Sequence, residues 1–533
     1  MERWNPPREL SRREQLIIKR LKRTRKLFAF LRLHRHELFD QTFQDELEGM
    51  YRQTGAGSEP AAPALLCMAV LLQAYLGTSD AEAVELSVVD LRWQMVLGCE
   101  GVEEPAFSQG GLQQFRERLI ANDLDRRLLE RTVELAKQTA EFDWKKLPKS
   151  LRLAVDSRPF EGAGRVEDTF NLLGHAARKL VQLAAKLLEV PAQEICQVAK
   201  APLLMAPSIK AALDINWNDP EQKDVALEIL LVQVDSLHRW LEREKLALEA
   251  PLQHYIAAVA QVRAQDLEVV KGHPRVRQGV AQDRRVSVQD EQMRHGRKSK
   301  SKRFNGFKEH IATDLDSQLI HACAVTPANR PEEEAMPDLQ ADLQRQKVRV
   351  RELAVDRAYV NSVFVRDVQA RGGEVVCKPW SGRNQPELFG KKDFKINLRD
   401  KTITCPAGEV ELFEPGEVVQ FDPEACGACS LRSQCTMSAS GRGRTVSIAQ
   451  DERLQHKLRK LQASSEGRAR LRERVGVEHR LAHIAARQGP KAPLSRHPKE
   501  PIRSASRSGD PEPGDHPTTE SRGVTMKSTC SVL

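Results

Sequence analysis

Apolar residues recur every three to four positions through much of the first half of the chain. Residues 65–77 (LLCMAVLLQAYLG) and 124–138 (LDRRLLERTVELAKQ) show this spacing, which is typical of helices with a buried face. Ser79 and Ser108 precede further runs of the same kind, and each hydroxyl can accept a hydrogen bond from a free amide of a first helical turn. The pattern therefore predicts helices throughout residues 63–145.

Strand patterns begin after this helical region. Residues 151–156 (LRLAVD) and 349–356 (RVRELAVD) are short apolar runs that each end on an aspartate. Residues 307–314 and 319–325 have the composition of two further strands joined by a turn, and a helical stretch, 166–264, separates the first strand from the rest. This order predicts an α/β fold in which a mixed sheet is flanked by helices, with an all-helical N-terminal domain and a helical insertion.

The two aspartates at strand ends are the strongest chemical signal. A lone aspartate in such a place more often caps a turn, but ligands bind at the strand ends of open α/β sheets, and Asp156 and Asp356 form a pair there. Phosphoryl transfer between DNA strands uses two divalent ions about 4 Å apart. Mg²⁺ and Mn²⁺ prefer carboxylate oxygens. A third carboxylate is needed, and Glu478 is our candidate, with Arg474 four residues earlier on the same helix face.

Charge points to the same class of partner. The formal net charge is +9, and much of the excess lies in one run, residues 294–303, which predicts a phosphate-bearing partner more strongly than the net charge does. A solvated basic loop is the alternative interpretation. The residues predicted to contact double-stranded DNA are Arg297, Lys298, Lys300, Lys302, Arg303, Lys308, Arg474 and Arg480.

Four of the ten cysteines form a pattern that fits a metal site. Cys426, Cys429 and Cys435 are closely spaced, Cys405 lies upstream, and four thiols can close a tetrahedral zinc site. A compact insertion with packed, reduced thiols explains the pattern equally well. The other cysteines with apolar neighbours are predicted to lie in the core: Cys67, Cys99, Cys196, Cys323 and Cys377.

Two features predict a cytoplasmic, nucleoid-associated protein with no membrane partner. The first ten residues, MERWNPPREL, lack the apolar stretch of a secretory signal. The most apolar segment, residues 61–76, is too short to span a bilayer.

Five segments resemble the DDE transposases of bacterial insertion sequences: AVDSRPFEGAGRVEDTFNLL, RHGRKSKSKRFNGFKEHIATDLDS, VTPANRPEEEA, LAVDRAYV and RERVGVEHRLAHIAARQG. The resemblance implies an RNase H-like catalytic core, a helical N-terminal domain and a cysteine-bearing C-terminal insertion. It implies Asp156, Asp356 and Glu478 as the catalytic triad, Mg²⁺ or Mn²⁺ as cofactor, and a homodimer on DNA. The chain departs from related transposases at Leu471 and Ala485, where they carry tyrosine and lysine, so only the Arg474–Glu478 half of that motif is present.

Two alternatives stay open: a catalytically decayed transposase that only binds DNA, and a related RNase H-like nuclease. The tail bears on the first, because residues 492–533 are rich in proline, serine and arginine and are predicted to be disordered. Reading permitted codons for residues 493–513 one base later gives RYRGTRKNLFDLRRAAAIQNL, which resembles the family ending. We therefore expect a frameshift there, which would remove the end of the catalytic domain and impair activity.

Together these patterns predict eight segments. They are a charged helical arm (1–60), a helical DNA-end-binding domain (61–147), the first core strand (148–165), a helical insertion with a basic linker (166–300), further core strands and helices (301–380), a cysteine-containing insertion (381–465), the Glu478 helix (466–491) and the tail (492–533).

Overall fold

The computed structural model describes residues 3–21, 26–51, 59–138, 149–380, 387–438 and 441–489. The predicted tail, 492–533, and its frameshift lie outside the described residues, so both stay predictions.

The N-terminal region is helical, as its pattern predicts. Ser79 and Ser108 cap two of its helices, and each accepts a hydrogen bond from the amide three residues later. The helices are α1 (Arg12–Arg20), α2 (Lys26–Leu38), α3 (Gln41–Glu48), α4 (Pro63–Leu76), α5 (Asp80–Val89), α6 (Leu91–Leu97), α7 (Gln109–Ala121) and α8 (Leu124–Gln138).

The described residues between 3 and 51 pack into this helical domain and do not form a separate charged arm. Phe28 and Phe43 are buried in one apolar core with Trp93. The charges do not prevent burial because they are paired: Arg32 forms an ion pair with Glu14 inside the domain. Our predicted boundary at residue 60 therefore falls inside one packed unit.

A first strand and a helical insertion follow. The insertion has its own apolar core. It also contains a short hairpin that the sequence analysis did not predict. The elements are β1 (Leu151–Glu161), α9 (Thr169–Leu188), α10 (Ala192–Val198), α11 (Ile209–Leu213), α12 (Pro220–Arg243), α13 (Ala250–Asp266), β2 (Leu267–Val270) and β3 (His273–Val276).

The basic run predicted to be a linker is instead a hairpin. Its two strands pair antiparallel, with Arg294 opposite Gly306 and Arg297 opposite Arg303. A basic run can form such strands because alternate side chains face solvent while the backbone groups pair across the ladder. The elements of this region are β4 (Arg294–Arg297), β5 (Arg303–Asp314), β6 (Ile320–Pro327), α14 (Met336–Arg345), β7 (Val350–Ala354), α15 (Val363–Ala370) and β8 (Glu374–Val376).

The central sheet is mixed. Strand β1 pairs antiparallel with β5 on one side and parallel with β7 on the other. Strand β8 continues the parallel part, and β4 and β6 both pair with β5. A mixed sheet with helices packed on it confirms the predicted fold class and fits an RNase H-like core.

The rest of the described chain forms a small β module and three helices. The module has a separate core around Phe394 and Phe421. The elements are β9 (Lys395–Asn397), β10 (Thr402–Thr404), β11 (Val410–Leu412), β12 (Val418–Gln420), α16 (Pro423–Ala428), α17 (Arg432–Cys435), β13 (Thr445–Ser447), α18 (Glu452–Ala463), α19 (Ser465–Glu473) and α20 (Val475–Gln488).

Within the described ranges, no single helix is long and apolar enough to cross a membrane. One bent pair, Pro63–Leu76 with Asp80–Val89, meets the criteria of length and composition when taken together.

Gly306 is the point where three strands meet, and we predict that Gly306→Ala destabilises the fold. A Cβ there would lie 2.3 Å from the backbone of Gly162 and Phe160. Backbone cannot yield as a side chain can, so we expect the free energy of unfolding to fall by about 1–3 kcal/mol. Urea denaturation measures this. The control is Gly110→Ala, whose Cβ meets nothing within 4 Å; equal loss in both variants would contradict the prediction.

Candidate active site

The parallel pairing of β1 and β7 brings two aspartates to the same end of the sheet. The register pairs Ala154 with Ala354. Asp156 and Asp356 each lie two residues beyond this pair, and neighbouring strands are about 4.8 Å apart. Asp156 is partly buried, whereas Asp356 is exposed and caps a 3-10 turn by accepting a hydrogen bond from the Arg357 amide at 2.9 Å.

Helix α20 brings the third predicted carboxylate to this place. Val477, Leu481 and Ile484 pack on the sheet face formed by residues that include Ala154 and Ile311. Burial of this apolar stripe fixes the helix against the sheet and leaves the Glu478 side chain half exposed at its edge. A cleft of about 320 Å³ results, lined by residues that include Asp356, Lys378, Arg474 and Glu478.

Arg474 links two of the three carboxylates. Its guanidinium donates to Asp156 Oδ2 at 2.7 Å and to Glu478 Oε1 at 3.0 Å. Burial nevertheless raises the pKa of Asp156, with a smaller contribution from the nearby Glu478 carboxylate, although Arg474 and the Ser157 amide oppose the shift. The cost of burying this charge is therefore only partly offset.

The donor set suits a hard divalent cation in its chemistry, since two neighbouring strand segments and one helix each supply a carboxylate. In the present arrangement the Arg474 guanidinium lies between Asp156 and Glu478. Throughout the described ranges, no group of three or more histidine, cysteine, aspartate or glutamate side chains is arranged to hold a metal ion. The fit to a metal therefore rests on the chemical identity of the donors and on the neighbouring elements that carry them.

Comparison with protein families decides the class of protein. Residues 266–489, which include Asp356 and Glu478, match the family described as "Transposase DDE domain". The chain belongs to the DDE transposases. Residues 19–118 of the transposase match a second family, "Transposase domain (DUF772)", which spans our predicted boundary at residue 60. Comparison with curated proteins and with solved structures found no match.

Behind the carboxylates lies a set of buried polar groups that the sequence analysis did not identify. His310 is fully buried, and burial lowers its pKa to about 3, so its imidazole is neutral. It hydrogen-bonds the Tyr359 hydroxyl at 2.8 Å and the Thr326 hydroxyl at 3.0 Å. Beside it, Arg158 forms a buried ion pair with Glu309. No local spacing links these residues, so only the fold brings them together.

Apart from Arg474, which lies in the cleft, the predicted DNA-contacting residues of the transposase fall into three groups. Those of the β4–β5 hairpin are exposed. Lys308 is buried, bonded to the Arg330 carbonyl at 2.7 Å and paired with Glu332 at 3.0 Å, so it does not belong to a DNA surface. Arg480 lies with His479 along a shallow groove beside the cleft. The exposed hairpin residues are Arg297, Lys298, Lys300, Lys302 and Arg303.

The four spaced cysteines meet in the small β module. Cys405, Cys426 and Cys435 pack against its core. Burial raises the pKa of the Cys435 thiol, and the other three sulfurs add to this shift while Arg444 opposes it. All four thiols are free, so zinc binding stays a prediction. The prediction that the remaining cysteines are core residues is confirmed for Cys67, Cys196, Cys323 and Cys377, which are buried, while Cys99 is partly buried.

We predict that Asp156→Asn stabilises the DNA-free transposase at neutral pH. The raised pKa means that folding favours the protonated carboxyl. The ionised form therefore lowers the stability of the fold at high pH. This loss shrinks as pH falls below the raised pKa and is gone below the pKa of the unfolded chain. Thermal melts of the variant and wild type should therefore differ most at pH 7.5 and converge towards pH 4. A variant that melts below wild type at pH 7.5 would contradict this.

Proposed function

We propose that this transposase cuts DNA at the ends of an insertion sequence and joins those ends to target DNA. The observation that carries the proposal is the juxtaposition of Asp156 on β1 with Asp356 just beyond the end of β7, and of Glu478 on the helix packed against the same sheet. Asp356 and Glu478 belong to the part of the chain that matches the DDE domain. Asp156 precedes that part, and its strand β1 lies next to β7 in the sheet.

In this proposal Asp156, Asp356 and Glu478 hold two divalent cations, Mg²⁺ or Mn²⁺. The bound ions would supply Lewis acidity and a clamp on the attacking and leaving oxygens. Hydrolysis at the element end frees a 3′-hydroxyl, which then attacks a target phosphodiester and releases one strand end. Arg474 would exchange its carboxylate partners for a DNA phosphate, which offers the same bidentate oxygen geometry.

The β4–β5 hairpin is the proposed contact with the DNA backbone. Its five exposed cations have no ion-pair partner among the described residues, so their full charge is available to phosphates. Transposition joins two element ends, and we therefore propose a homodimer on double-stranded DNA, associated with the nucleoid.

We predict that Asp356→Asn abolishes cleavage without preventing DNA binding. Loss of one metal-holding carboxylate should lower the rate by more than about 100-fold, since amide oxygen binds divalent ions more weakly. Labelled DNA that carries the flanking element ends, incubated with Mg²⁺ or Mn²⁺, reports nicking and joining, and a mobility shift reports binding. The control is Asp367→Asn, which removes an aspartate paired with Arg371 on the surface of α15.

The outcomes separate the alternatives. Binding with no cleavage by wild type would favour a decayed transposase that only binds DNA. Cleavage without joined product would favour a nuclease. Cleavage that survives in Asp356→Asn would overturn the assignment of Asp356.

We predict that replacing Lys298, Lys300 and Lys302 together by alanine weakens DNA binding and its salt dependence. Each phosphate contact contributes about 0.9 to the slope of log affinity against log salt, so the slope should fall by about 2.7. Fluorescence anisotropy from 50 to 300 mM salt measures both quantities. The matched control replaces three exposed lysines on other elements: Lys19, Lys186 and Lys395. An equal loss in the control would mean that net charge, and not the hairpin, determines binding.

A further inference from the structure

A line of buried hydrogen bonds runs directly behind the proposed metal site. His310 lies on β5 opposite Ser157 of β1, and Asp156 lies opposite Ile311. Neighbouring residues of a strand point to opposite faces, and Ile311 packs under α20. Asp156 therefore points towards α20, whereas Ser157 and His310 point to the other face of the sheet, where Tyr359 is buried.

Tyr359 touches the segments that carry both aspartates. It ends the 3-10 turn that Asp356 caps, and its amide donates to the Asp356 carbonyl at 3.0 Å. Its hydroxyl hydrogen-bonds His310 at 2.8 Å, and the side chain of Ser157 is a further hydrogen-bond partner. The amide of Ser157 in turn donates to Asp156 Oδ1 at 2.8 Å.

His310 holds this hydroxyl from a fixed position. Its neutral ring has one donor and one acceptor nitrogen, and both are used, since Nε2 bonds the Thr326 hydroxyl at 3.0 Å. Being fully buried between β1 and β6 of one sheet, the ring has no alternative partner in water. A residue held in this way determines where the Tyr359 ring, and with it the turn, can lie.

We propose that Tyr359, anchored by His310, is a positioning residue that fixes the Asp356 turn against the Asp156 strand and so sets the separation of the two carboxylates. The inference rests on the proposed metal site. Partners behind metal ligands typically change affinity or activity by 10–100-fold when removed.

The test is Mn²⁺ binding to the full chain without DNA, measured by the electron paramagnetic resonance signal of free Mn²⁺. Tyr359→Phe removes only the hydroxyl, and we expect Mn²⁺ affinity to fall about 10-fold or more. The matched control, Thr326→Val, removes the other hydrogen bond of His310 without touching the turn, and we expect affinity within about twofold of wild type. Thermal melts of both variants report the purely structural cost.

Equal affinity of Tyr359→Phe and wild type would overturn the inference, as would equal losses in both variants. If Tyr359→Phe does not fold, His310→Asn and His310→Gln replace it. The asparagine amide lies near the position of Nδ1, which meets Tyr359, so Mn²⁺ affinity should persist in His310→Asn. The glutamine amide lies near the position of Nε2, which meets Thr326, so Mn²⁺ affinity should fall in His310→Gln. The reverse order would contradict us. Asp356→Asn is the reference: Mn²⁺ binding that it leaves unchanged would overturn the metal site itself.

Discussion

The pairing of β1 with β7 is the constraint on which the site depends. Strand β1 has partners on both edges, so it cannot shift register without breaking two ladders. A slip of one residue would also turn Leu153 and Val155 from one core to the opposite face. The placement of Asp156 beside Asp356 is therefore a consequence of core packing, and the proposed chemistry depends on it.

The helical domain contacts the sheet and helix α20 at two places. Arg126 of α8 donates to the Cys323 carbonyl of β6 and pairs with Asp342 at 3.0 Å. At the second place, the Arg487 guanidinium of α20 lies 5.0 Å from the centre of the Tyr75 ring of α4. Helix α20 thus contacts the sheet on one side and the helical domain on another, and so the position of Glu478 depends on both.

The sequence pattern predicted those features that depend only on residues close together in the chain, such as strands and helix caps. The apolar runs that precede Asp156 and Asp356 are buried strands, as predicted, although β1 does not end at Asp156 but continues to Glu161. The caps at Ser79 and Ser108 satisfy amides within one turn. The buried network of His310 and Tyr359 could not be predicted, because its partners are 49 positions apart and meet only through sheet topology. Glu478 was likewise identified by resemblance, since its distance from either aspartate is set by the whole intervening fold.

Charge was the least reliable guide, for a physical reason. A cation in the sequence does not reveal whether an acid will meet it: Arg32 is buried against Glu14, and Lys308 against Glu332, whereas the hairpin lysines stay exposed. Contacts made by the fold likewise determine the charge balance at the candidate site. Asp156 and Glu478 are like charges brought close by packing, and Arg474 reduces their repulsion without cancelling the cost of burial. A divalent cation would reduce it further, so the same charges that lower the stability of the fold would favour metal binding in the proposed function.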